Sequence, residues 1–63
     1  MNIRALNPAA FRSGEWAEVY GMAWSNGRPC FLVRFVDQAT DYWPIYDPAA
    51  GYEFRPLYER NNI

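Results

Sequence analysis

Histidine and lysine are both missing from this 63-residue chain, and cysteine occurs once. Without histidine the commonest general base is gone, and without lysine there is no amine for a Schiff base. One cysteine cannot close an internal disulfide, and with no histidine beside it a structural zinc site is excluded. Glycine-rich phosphate loops are lacking as well. No apolar run approaches the ~20 residues of a membrane span, and no signal peptide opens the chain. These gaps point away from an enzyme and from any cofactor. They suit a cytoplasmic binding protein whose Cys30 stays reduced.

Charge of one sign is also scarce. The net charge is -1 and the sequence pI is near 5.1, so no overall basic field attracts nucleic acid. All six basic residues are arginine. A GC-rich coding bias accounts for that, and arginine also suits planar, bidentate contacts at interfaces. What the chain has in excess is aromatic rings, at 19 % of residues: three Trp, five Tyr and four Phe. A domain of this length buries only about 60 % of its unfolded surface. Large rings, or self-association as a homodimer, therefore have to supply stability that disulfides and metals do not.

The organising stretch is Cys30-Phe31-Leu32-Val33-Arg34-Phe35-Val36. Its β-branched and aromatic content favours a central strand, with turn-forming residues on both sides. Alternation groups Phe31, Val33 and Phe35 on an apolar inner face, and Cys30, Leu32, Arg34 and Val36 on the other. Before it, Glu15 to Trp24 reads as a long strand with Trp16, Glu18 and Tyr20 on one side and Ala17 and Val19 on the other. Gly21 marks a bulge or bend, which leaves the facing of Met22, Ala23 and Trp24 open. Asn26-Gly27 is the strongest hairpin signal, because both residues tolerate positive φ.

Further along, Tyr42 to Tyr46 is a strand that Pro44 restricts to an edge or a bulged position, Asp47 to Gly51 is a turn, and Tyr52 to Arg55 is a short strand closed by Pro56. At the other end, Asn7 and Pro8 have the chemistry of a helix start that Ser13-Gly14 would stop after one turn, with Leu6 and Phe11 packed against the sheet. The expected architecture is one mainly β domain over residues 1–63: a small SH3-like antiparallel barrel of four to five strands with a short N-terminal helical turn. Within it, residues 1–13 form an arm or helical turn, 14–56 the β core, and 57–63 a polar tail with Leu57 and Tyr58 as docking candidates. A curled sheet covered by an N-terminal helix is the second arrangement.

Gly14-Glu15-Trp16-Ala17-Glu18-Val19, followed by Phe31-Leu32-Val33-Arg34-Phe35-Val36-Asp37, is similar to the opening strands of Tudor-like and KOW-like SH3 barrels. Those families usually carry glycine after the aspartate, where this chain has Gln38. Three longer pieces resemble small reading frames of phages and prophages in GC-rich bacteria. These are Arg28-Pro29-Cys30-Phe31, then Asp41-Tyr42-Trp43-Pro44-Ile45-Tyr46-Asp47-Pro48, then Gly51-Tyr52-Glu53-Phe54-Arg55. That resemblance implies a phage-type accessory protein, a class that includes inhibitors of host defence such as anti-CRISPR proteins.

Among candidate residues, Cys30 sits in the most apolar strand and is expected to be a buried, inert thiol. Asp37, Asp41 and Asp47 border neighbouring loops and suit either turn capping or a hard cation. Arg34 is expected to pair across strands with Glu18 or Glu53. Twelve rings exceed what so small a core can bury, and exposed Tyr and Trp beside arginine are the usual material of binding hot spots. The candidate binding set is therefore Tyr42, Trp43, Tyr46, Tyr52, Arg28, Arg34 and Arg55, with a protein as the expected partner. An alternative is single-stranded nucleic acid, with Trp43, Tyr42 and Tyr46 stacking on bases and Arg28, Arg34 and Arg55 on phosphates. A role in virion assembly is a third reading.

Overall fold

The computed structural model describes residues 1–56, so Leu57 and Tyr58 lie outside the described residues. The chain forms β1 (Asn2–Ala5), β2 (Ala17–Ser25), β3 (Arg28–Arg34), β4 (Thr40–Pro44) and β5 (Tyr52–Arg55). They make one sheet in the order β4-β3-β2-β1-β5, with every neighbouring pair antiparallel. There is no helix among the described residues, hence none long and apolar enough to cross a membrane.

The inner face is the one alternation selects. Val33 and Phe35 are buried, as are Ile3, Ala5, Ala17 and Trp43, while Val19, Phe31 and Tyr52 pack partly against them. On the outer face Val36 is 93 % exposed and Arg34 bonds Glu18 at 2.6 Å. Cys30 is buried at 2 % exposure, although alternation groups it with the outer residues.

Gly21 lies at a bulge, since the β2–β3 register steps from Val19↔Val33 to Gly21↔Leu32 and leaves Tyr20 without an opposite residue. A Cβ on Gly21 would meet the Leu32 Cδ1 at 3.3 Å. Ser25 and Arg28 close the hairpin, and Asn26 and Gly27 take φ of 53° and 76° as a two-residue primed turn requires. The β3–β4 connection is a tight turn in which Gln38 donates its N–H to the Phe35 carbonyl and itself takes φ 75°.

Two expectations need correction. The N-terminal helical turn does not form. Asn7 caps locally, its Oδ1 accepting the Ala9 N–H at 2.9 Å, but the chain continues as separate turns with Arg12 and Gly14 at φ 51° and 85°. The bonds that form, Ala10 N–H to the Asn7 carbonyl and Ser13 N–H to the Ala10 carbonyl, are three-residue turn bonds, and positive φ at Arg12 takes the backbone out of the helical region. The loop instead returns to the sheet through the Gly14 N–H on the Ala5 carbonyl, and the residues before it, Asn2 to Ala5, are a strand.

The second correction concerns closure. The hydrogen-bonded ladder ends at β4 and β5, so the sheet is curled and open rather than a closed barrel. Side chains bridge the gap. Trp43 stacks on Tyr52 with ring centroids 5.5 Å apart and 1° between planes, and the Tyr52 hydroxyl donates to the Pro44 carbonyl at 2.9 Å. Rings between the two strands hold their backbones too far apart for ladder bonds. β4 also has little to offer a further strand: Pro44 lacks an N–H, and the Tyr42 N–H is donated to the Asp41 carboxylate at 2.8 Å.

Candidate functional site

The structure distributes the seven candidate residues over five places. Trp43 is 6 % exposed, packed edge-on to Phe35 and bonded through its indole N–H to Asp41 at 3.0 Å. Tyr52 is half-buried beneath it. Burial, reinforced by the Asp47 carboxylate, pushes the Tyr52 phenol up to about 12. Both rings are thus spent on packing. Tyr42 is exposed on the outer side of edge strand β4, opposite Leu32. Tyr46 is 84 % exposed and lies just beyond the strand. Arg28 sits at the exposed β2–β3 hairpin end, while Arg34 and Arg55 belong to the far end of the sheet.

A different apolar patch emerges at the hairpin. β1 pairs only with Ala17 and Glu18, so the second half of β2 projects with no strand on that side. Met22 and Trp24 stand on this projection at 70 % and 74 % exposure, with exposed Pro29 opposite Trp24. The Ile45 N–H donates to the Pro29 carbonyl at 3.0 Å and brings Ile45, with Tyr46 next in sequence, to the same end. A shallow groove of about 240 Å³ runs between Met22, Trp24, Pro29 and Ile45. Of the original set, Tyr46 and Arg28 lie closest in sequence to its lining residues. Trp24 was overlooked because the Gly21 bulge made its facing undeterminable, yet its place two residues before Asn26-Gly27 was a legible signal for a hairpin tip.

The opposite end carries a polar cleft of about 360 Å³, where Trp16 and Arg55 meet Asn2, the Glu18–Arg34 pair and the exposed Val36. The pairing register makes one row across the outer face: Thr40, Arg34, Glu18, Asn2 and Arg55. The guanidinium of Arg55 lies over the Trp16 ring at 4.0 Å and that of Arg4 at 4.6 Å. Arg4 is also paired with Glu53, the other carboxylate foreseen as an arginine partner.

Asp37 and Asp47 work as turn elements, whereas Asp41 lies within β4 with its carboxylate on the Tyr42 and Trp43 N–H groups. Asp37 accepts the Ala39 N–H and both terminal N–H groups of Arg12, at 2.8 and 2.7 Å. The Arg12 guanidinium and the Ala39 N–H hold the Asp37 carboxyl down at about 2. Asp47 accepts the Ala50 N–H through its main-chain carbonyl. No three acidic or thiol side chains converge as a metal site among the described residues. Cys30 has the Arg28 carbonyl as its polar neighbour, 3.6 Å from Sγ.

Family models, curated proteins and solved structures were each compared with the chain, and none matches.

Proposed function

We propose that the protein is a non-enzymatic, SH3-like β module that binds a protein partner through the projecting β2–β3 hairpin. One observation carries this reading: Trp24 and Met22 are held in water beside a groove on a preformed strand pair, in a chain that spends Trp43, Tyr52 and Phe35 on its core. Tryptophan presented on a rigid element is characteristic of a binding hot spot, because little side-chain freedom remains to be lost on association. The return of β5 to pair with β1 supports the SH3-like assignment. The likeness to phage reading frames extends the proposal to a cytoplasmic, phage-encoded inhibitor of a host defence system, such as an anti-CRISPR protein.

Affinity capture from lysate of a GC-rich bacterial host, with nuclease-treated and untreated halves, tests it. A protein recovered from both halves, and lost with Trp24→Ala, supports the reading. Recovery that vanishes with nuclease overturns it in favour of nucleic acid, and capture of nothing above background sinks it.

A further inference from the structure

Of the five arginines among the described residues, three are paired with a carboxylate, and Arg28 at the exposed hairpin end and Arg55 are not. Arg4 is matched with Glu53 across β1 and β5, Arg34 with Glu18 across β3 and β2, and Arg12 with Asp37 across two loops. Arg55 has no carboxylate or side-chain hydrogen-bond acceptor among the described residues, although it lines the 360 Å³ cleft. The residue opposite it is Asn2, a neutral amide, in the row where Arg34 is set against Glu18. One negative charge is missing from that row.

We infer that the cleft is a binding site for a free carboxylate joined to one apolar group, with Arg55 as its anchor. A guanidinium stacked on an indole keeps its N–H donors pointing outward in its own plane, the geometry of a bidentate carboxylate contact. The Arg55 guanidinium lies over the Trp16 ring, 4.0 Å from its centroid. Arg4, also over Trp16, adds positive potential that only Glu53 offsets. Glu18, the one carboxylate lining the cleft, is spent on Arg34 at 2.6 Å. Trp16 and the 93 %-exposed Val36 supply apolar surface. The volume lies at the small end of the roughly 300–1,000 Å³ found for ligand sites, which suits one side-chain-sized body. This site is separate from the hairpin patch and stands or falls without it.

The test is a titration of the full-length protein, followed by the indole and amide resonances in two-dimensional NMR. Phenylacetate is expected to shift the Trp16 indole N–H saturably, at a Kd of ~1 mM, and to leave Trp24 unmoved. Phenylacetamide, the same body without charge, should do nothing. Arg55→Gln should abolish the shift. Asn2→Asp, which places the missing charge inside the protein, should weaken binding at least about tenfold, because the new carboxylate competes for Arg55. Glycyl-phenylalanine and its amide extend the series: saturation by the dipeptide acid but not its amide assigns a chain terminus, and saturation by phenylacetate alone assigns a small acid. The inference is overturned if the acid and amide shift Trp16 equally, if no probe saturates, or if folded Asn2→Asp binds as the parent does.

Discussion

At the scale of single residues, Gln38 is the clearest compromise. Its φ of 75° lies in the left-handed region, where any side chain bearing a Cβ is strained. Gln38→Gly should therefore stabilise the fold by about 0.5–1 kcal/mol, the relief of that strain exceeding glycine's extra chain entropy. A shift of the urea midpoint to higher concentration at unchanged slope would verify it. Next door, Asp37 gives the turn a pH dependence. Its folded carboxyl sits at about 2, below its ordinary value, so its contribution is present above about pH 4 and disappears as pH falls through 2. Asp37→Asn should flatten the acid side of a stability–pH curve measured by urea unfolding between pH 2 and 5. If parent and variant fall in parallel, the Arg12 contact is not what titrates.

Elements differ in how plainly the sequence announces them. β3 was legible because its run is rich in β-branched and aromatic residues between turn formers, the Asn26-Gly27 turn because both residues take positive φ, and the Gly21 bulge because glycine inside a strand often marks one. β1 was not. Four residues are too few for a period to stand out, and Asn7-Pro8 beyond them carries a genuine capping signal that serves a turn instead. The position of the core hid for the same reason: Ile3 is completely buried, between β2 and β5. Ile3→Ala should cost about 2–5 kcal/mol, which is most of what so small a core supplies. Loss of amide dispersion for Ile3→Ala, with Ile3→Val still folded, is the expected outcome. The candidate site was only half legible: Arg34 and Glu18 find each other as alternation requires, whereas the fate of each ring depends on how far the sheet curls. That curl is held by Tyr52. Its phenol is raised to about 12 from an ordinary 10, so stability is intact below pH 10 and is lost as pH rises through 12. Tyr52→Phe should remove this alkaline loss and cost about 1 kcal/mol at neutral pH, the worth of its bond to the Pro44 carbonyl.

For the whole molecule, the division between a ring-packed body and a projecting hairpin makes its own forecast. Trp24 and Met22 touch little of the core, so Trp24→Ser combined with Met22→Ser should leave thermal unfolding within about 4 °C of the parent, the range of an ordinary surface change. A larger drop would show that the hairpin end is part of the stabilising core. The pairing of β1 with β5 reaches further, into time. Ile3 finds Phe54, and Ala5 finds Tyr52, across almost the entire described chain. β2 can cover one edge of β1 early, as Ile3 meets Ala17, but the other edge stays open until β5 has been made. Sheets built on such distant pairings fold in milliseconds to seconds rather than microseconds. In this protein the second edge of β1 is therefore among the last to be sheltered.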